Sequence, residues 1–267
     1  MAVMTVIEAV RDAIREEMQR DSKVFVLGED VGQRGGVFLA TQGLIDEFGP
    51  SRVLDTPLAE SSIMGIALGA AFRGLRPIPE VEFADFVWPT VNQLIGEAAR
   101  TCYGTNGAVP VPLVVRIPYG GGIRGGLFHS QNVEAYFFHT PGLKVVAPST
   151  PYDAKGLFIT ALRCHDPVLF LEHRSLLGSK SNVPKQPYTI PFGKAAIARQ
   201  GSDVTVVAIA NMVGLTLTAS EQLEKENISV EVIDPRTLAP LDIDRILESV
   251  HKTGRLLVVD DGDAQDE

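Results

Sequence analysis

Short runs of Val, Ile and Leu alternate with helix-length segments along almost the whole chain, and this rhythm limits the folds open to it. The runs KVFVLG (23–28), LVVRI (113–117), KVVA (144–147) and VTVVAIA (204–210) are almost continuously apolar. A strand exposed on one face would alternate apolar and polar side chains. Continuous apolar strands separated by helices instead call for parallel sheets with helices on both faces. The expected fold class is therefore α/β, a doubly wound parallel sheet.

Local signals divide the chain further. Thr5 and Glu8 have the spacing of a capping box and predict a helix to about Arg20. Further strands are expected at 52–55, 79–83 and 168–172, and helices at 41–48, 61–72, 89–103, 132–139 and 152–163. The stretch Ser175–Pro191 is rich in Ser, Lys and Pro without periodicity and reads as a hinge. This gives one domain at 1–185 and a second at 186–267. Beyond the hinge, strands at 204–210, 230–234 and 256–260 alternate with helices at 213–225 and 242–250. No helix follows the last strand, so the second unit reads as interrupted at its C-terminal side.

Composition removes several classes of function. The chain has 267 residues, 45% of them hydrophobic, with a formal charge of −9. Such an acidic balance leaves no basic surplus to meet nucleic-acid phosphates. Five acids fall between Asp260 and Glu267, which reads as a solvated acidic end. The longest uncharged run, Val204–Ser220, contains Asn211, Gly214 and several threonines and does not read as a membrane span. Two cysteines, Cys102 and Cys164, without CxxC spacing and with no signal peptide ahead of them, point to free thiols in the cytoplasm.

Four segments carry candidate chemistry. Gly120–Gly125 satisfies G-x-G-x-x-G after a strand, the pattern of a nicotinamide-nucleotide loop. It follows roughly the fourth strand, however, and the acid expected about 20 residues on is missing. A glycine loop that lets a ligand approach fits better. His129, where this loop meets the next helix, is suited to proton transfer, while Ser130 beside it also suits a plain helix cap. Glu60 lies at the carboxyl end of a strand and the start of an apolar helix. It reads as a half-desolvated carboxylate with a raised pKa, as a helix-start acid favoured by the dipole, or as both at once. In VEFADF (81–86), Phe83 and Phe86 are core residues or a platform for a flat heterocycle.

Three runs, LDTPLAESSIMGIALGAAFRGLRPIPEVEFADF (54–86), GGGIRGGLFHSQNVEA (120–135) and HTPGLKVVAPSTPYDAKGL (139–157), resemble the beta subunit of thiamine-diphosphate-dependent 2-oxo acid dehydrogenase components. The likeness covers nearly the whole chain in order. It implies a pyrimidine-binding domain followed by a smaller, incomplete transketolase-type C-terminal domain. It implies oxidative decarboxylation of pyruvate or a branched-chain 2-oxo acid, with acyl transfer to lipoyl groups.

By the same resemblance Glu60 faces the aminopyrimidine ring nitrogen of thiamine diphosphate, Phe86 stacks on that ring, and His129 handles protons during acyl transfer. Glu29 matches an acid near the substrate end. A potassium site would use carbonyls at Leu113, Ala161 and Leu162 with Cys164 and Asp166, the last two standing where Asp and Asn are often seen. The chain contains no Gly-Asp-Gly, the motif that carries magnesium and diphosphate in thiamine enzymes. The resemblance therefore implies an alpha subunit that holds magnesium, an α2β2 heterotetramer, and a lipoyl-bearing dihydrolipoyl acyltransferase as further partner. Competing readings are an acetoin dehydrogenase beta subunit, another transketolase-like enzyme, a nicotinamide oxidoreductase built on Gly120–Gly125, and a non-catalytic assembly subunit.

Overall fold

The computed structural model describes residues 1–122 and 124–262. Strand β1 (Ala2–Thr5) leads into α1 (Val6–Arg20), β2 (Val24–Gly28), α2 (Leu44–Phe48), β3 (Val53–Asp55), α3 (Glu60–Phe72) and β4 (Arg76–Pro79). A helical stretch comes next, made of a 3-10 turn at Trp88–Thr90, a π-helix at Asn92–Ala99 and α4 (Arg100–Gly104). The chain continues through β5 (Val114–Tyr119), α5 (Glu134–Phe137), β6 (Lys144–Val146), α6 (Pro151–Arg163), β7 (Val168–His173) and β8 (Lys180–Val183). The remainder is β9 (Ala196–Arg199), β10 (Val204–Ala208), α7 (Asn211–Glu224), β11 (Val230–Asp234), β12 (Thr237–Ala239), α8 (Ile243–Thr253) and β13 (Leu256–Val259).

The apolar strands pair in parallel, as their composition demands. One ladder runs β3-β2-β4, a second runs β5-β7-β6, and the bridge Glu80–Arg116 joins them into one sheet. Two hydrophobic clusters cover its faces. On one side α3 and the π-helix contribute Ile63, Met64 and Leu94 against Ile117 and Leu169. On the other, α1 and α6 contribute Ile14, Leu157 and Phe158 against Val26 and Phe170. A second sheet, β13-β10-β11, is parallel and carries β9 antiparallel on its edge. Its last strand is half exposed, with Leu256, Leu257 and Val258 at 50%, 54% and 58%.

The capping box forms as expected: Thr5 accepts from the Glu8 amide and the Glu8 carboxylate accepts from the Thr5 amide at 2.7 Å. Three expectations are corrected. The strand expected at 79–83 lies at β4, where Arg76–Pro79 pairs with Val24–Leu27 despite two prolines that usually argue against a central strand. The helix expected at 89–103 is broken into 3-10, π and α turns. The hinge at 175–191 contains β8, which pairs antiparallel with β1. Of the acidic end, Asp263, Asp266 and Glu267 lie outside the described residues. No helix among the described residues is long and apolar enough to cross a membrane.

Two cations are buried against carboxylates. Arg116, 1% exposed, donates from Nε and Nη2 to the two Glu172 carboxylate oxygens at 2.7 and 2.8 Å and pairs with Glu80 on its other side. Lys155 is fully buried between α1 and α6, donating to Asp12 at 2.7 Å, Glu16 at 2.9 Å and the Pro184 carbonyl at 3.2 Å. Each buried cation is held by several hydrogen bonds to oxygens, the condition under which such a group is tolerated.

Candidate active site

The candidate residues gather at the carboxyl edge of the main sheet, where open α/β sheets bind ligands. Glu29 directly follows β2, Glu60 opens α3 shortly after β3, Phe86 lies just beyond β4, and His129 is carried by the loop after β5. Glu60 is half-buried at the first position of α3, a helix start that favours a carboxylate. The neighbouring Ser61 hydroxyl donates to the Pro89 carbonyl at 2.9 Å, tying the start of α3 to the segment beyond Phe86. Burial, then the charges of Asp30 and Glu60, push the Glu29 carboxyl above its ordinary range, so Glu29 and Glu60 share one local field.

A further acid, Glu82, completes this group. It lies just after β4, and one of its carboxylate oxygens is buried without a hydrogen-bond partner. Burial, then Glu29, Glu80 and Asp30, push its pKa up to about 7. A carboxyl group at that value exchanges protons near neutrality. Glu82 stands in plain view in VEFADF, but its environment is assembled from separate strands, and no local pattern signals that.

Next to the acids lies an aromatic cluster. The His129 ring packs edge-on against Phe83 at 4.6 Å and Phe86 at 5.5 Å between centroids. Phe83 also meets Phe38 at 5.6 Å, and the Arg174 guanidinium lies 5.4 Å from its centre. The loop holding His129 is pinned by the Ser130 amide, which donates to Asp85 at 3.2 Å. Arg174 donates to the Tyr119 carbonyl at 3.3 Å and to the Gly120 carbonyl, fixing the loop's other end. No sequence pattern marks Arg174 or Asp85; both act by positioning the loop.

The glycines of this loop are required by close approach. At Gly120 (φ +90°) a Cβ would lie 2.2 Å from the His173 ring nitrogen, and at Gly125 it would lie 2.5 Å from the His129 Cβ. The loop leads into a 3-10 turn at Leu127–His129 and then the four-residue α5. A nucleotide pyrophosphate needs a proper helix N-terminus after the glycines, so the nicotinamide reading loses its support.

The residues assigned to potassium do come together, around a cation of the protein itself. Arg76 donates to the carbonyls of Leu162 at 2.8 Å and Cys164 at 3.0 Å. The Leu113 carbonyl accepts from Val168 and the Ala161 carbonyl from Cys164. Asp166 pairs with Lys144 at 2.7 Å and accepts from the Cys102 thiol at 3.0 Å. A potassium ion would have to share the Leu162 and Cys164 oxygens with a guanidinium and the Asp166 carboxylate with Lys144, so the set fits the ion poorly.

A half-buried carboxylate at the same sheet edge as an aromatic cluster suits a flat, protonatable heterocycle, and so fits the pyrimidine end of thiamine diphosphate. The sequence offers no matching diphosphate motif.

Residues 2–180 match the family model of the transketolase pyrimidine-binding domain, and residues 193–265 match that of the transketolase C-terminal domain. The chain is 55% identical over 260 residues to a 2-oxoisovalerate dehydrogenase subunit beta of Bacillus subtilis, covering 97% of this chain and 80% of the relative. It is 49% identical over 266 residues to a pyruvate dehydrogenase E1 component subunit beta of the same organism, covering 99% and 82%. Among solved structures it resembles a split-gene transketolase described as an inactive beta4 tetramer, with TM-score 0.79, 23% identity, and 96% and 79% of the two chains covered. That last likeness concerns the fold.

Proposed function

The chain belongs to the transketolase-like beta subunits of thiamine-diphosphate-dependent 2-oxo acid dehydrogenases, and from that membership we propose that it forms the pyrimidine-side half of such an enzyme. The reaction is oxidative decarboxylation of pyruvate or a branched-chain 2-oxo acid, with the acyl group passed to lipoyl groups of a dihydrolipoyl acyltransferase. The observation that carries this reading is the joint position of Glu60, Glu29, Phe86 and His129 at one sheet edge.

Thiamine diphosphate supplies the electron sink for loss of carbon dioxide when bound. The chain's own residues bind, orient and move protons. Glu60 shares a proton with the ring nitrogen of the aminopyrimidine, a task that suits a half-buried carboxyl at a helix start. Phe86 offers its ring face to the heterocycle. Glu29 lines the substrate end, where burial and then the charges of Asp30 and Glu60 hold its carboxyl above the ordinary range. His129, held edge-on by Phe83 and Phe86, exchanges a proton with the incoming acceptor.

The diphosphate and its magnesium fall to an alpha subunit, because the chain lacks Gly-Asp-Gly; the working assembly is an α2β2 tetramer. Potassium has no part in this reading, since Leu162 and Cys164 already turn their carbonyls to Arg76. The pyrimidine-binding domain is assigned to 1–185 and the C-terminal unit to 186–267. Two free cysteines suit a cytoplasmic enzyme.

The test is co-expression with an alpha subunit and assay of decarboxylation with pyruvate and with branched-chain 2-oxo acids. Glu60→Gln in that complex should lower turnover by about 10²-fold or more while the fold is retained. Turnover near wild type would refute the role of Glu60, and absence of thiamine-dependent turnover in the wild-type complex would refute the function itself.

A further inference from the structure

Three carboxylates outside the candidate active site meet where the two sheets approach each other. Glu134 opens α5, and Asp260 and Asp261 directly follow β13. One oxygen of each lies within 4.8 Å of the other two. Glu134 is only 4% exposed; one of its oxygens accepts the Val133 amide at 2.8 Å, and the other is buried without a hydrogen-bond partner. Asp261 is oriented by two groups, Asn132 Nδ2 at 3.0 Å and the His173 ring at 2.8 Å. Among the described residues no lysine or arginine forms an ion pair with Glu134 or Asp261.

The second observation comes from the sheet. Tyr119, the last residue of β5, is fully buried, and its hydroxyl has no hydrogen-bond partner. Tyr119 pairs in register with His173, the two rings meet edge-on at 5.0 Å, and the His173 ring holds Asp261, so the orphaned hydroxyl belongs to the same corner as the acids. An orphaned hydroxyl and an orphaned carboxylate oxygen in one buried corner are costly, and both become satisfied if a ligand sits between them. Glu134 and Asp260 also line a cavity of about 330 Å³, which gives a small ion a way in.

We propose that Glu134, Asp260 and Asp261 bind a divalent cation of calcium size, with the Tyr119 hydroxyl facing it. Hard oxygen ligands select such ions. Opposite oxygens around calcium lie about 4.6–5.2 Å apart, twice its usual metal–oxygen distance, whereas magnesium requires about 4.0–4.2 Å. Three carboxylate oxygens within 4.8 Å of one another fall inside the span that calcium bridges, and its flexible shell accepts them without the near-ideal octahedral placement that magnesium demands. Asn132 and His173 serve as the outer groups that orient a ligating carboxylate. The ion would clamp the end of β13 to the ends of β5 and β7, joining the C-terminal unit to the main sheet away from the pyrimidine-side acids.

The purified chain, without alpha subunit or thiamine diphosphate, should bind terbium(III), a luminescent stand-in for calcium, with emission sensitised by the nearby Tyr119 ring. Calcium should displace it and magnesium should do so at least tenfold less well. Asp260→Asn should weaken binding at least tenfold with an unchanged circular dichroism spectrum. Tyr119→Phe should reduce the sensitised emission while calcium still protects against heat. Absence of saturable emission, equal binding by Asp260→Asn, or full emission from Tyr119→Phe would overturn the proposal. None of these readouts depends on decarboxylation, so the result stands apart from the fate of the active-site reading.

Discussion

Glu82 and His129 show how far a single residue's behaviour is set by its neighbours. The folded chain holds the Glu82 carboxyl at about 7, above the glutamate value, through burial and then the charges of Glu29, Glu80 and Asp30. A raised carboxyl pKa favours the folded state while the group keeps its proton. That contribution is present below the ordinary glutamate range and is lost as pH rises through about 7. Glu82→Gln should therefore shrink the fall in urea midpoint between about pH 5 and about pH 8. The fall should not vanish, because burial, followed by Asp260 and Asp261, also pushes Glu134 to about 7. An identical fall in wild type and variant would remove Glu82 from the set of titrating groups. For His129, replacement by Ala should lower lipoyl acylation by about 10²-fold and spare decarboxylation with an artificial acceptor. Equal loss in both assays would leave the ring a packing role only. The placement of Glu60, Phe86 and His129 at one sheet edge is legible in the sequence, because each sits in a run that follows a recognisable strand. The behaviour of Glu82 is not, since its unusual environment comes from burial and from Glu29 at the end of the adjoining strand β2.

At the level of elements, what the sequence makes legible is local spacing. The box Thr5–Glu8 specifies the start of α1 by itself, and the helix forms there. Strands β1 and β8 escape such a reading because Lys180-Ser-Asn-Val is polar and unpatterned, and only its pairing with Ala2–Thr5, from the other end of the domain, makes it a strand. The turn before β6 is a place where an element depends on a missing side chain. Gly142 has φ +87°, and a Cβ there would meet the Ala99 carbonyl oxygen at 2.0 Å and the Tyr103 Cβ at 2.9 Å. Gly142→Ala should cost about 3 kcal/mol, combining left-handed strain with overpacking. Gly43, left-handed at φ +79° with nothing within 4 Å of the place a methyl would occupy, separates the two effects. Gly43→Ala should cost about 1 kcal/mol. Chemical denaturation of both variants gives the comparison, and similar costs would mean that the Ala99 contact relaxes freely.

Across the whole molecule the two sheets are tied together by the stretch after β11. β12 leaves the C-terminal unit and pairs with β6 on the edge of the main sheet. Arg236, just before it, forms a 2.7 Å ion pair with the buried Asp153 of α6, and Asp234 accepts from Ser149. Strand and helix order tells where each unit lies, but a three-residue strand returning to the other sheet leaves no mark in a hydropathy pattern. Arg236→Met should lower stability by about 3 kcal/mol, because Asp153 stays buried without its cation. It should also split a single calorimetric unfolding transition into two. A variant that still melts in one step would show that β12 alone couples the units.

The pairing of β1 with β8 also sets an order of events during synthesis. Ala2–Thr5 can complete their ladder only with Lys180–Val183, so on the ribosome they must wait until the whole of the intervening sheet has emerged. Domains fold as units during translation, and long-range pairing is slow because the loop must close first. The nascent chain therefore holds β1 as an unpaired edge through most of the synthesis of the pyrimidine-binding domain, and its release coincides with the arrival of Val183.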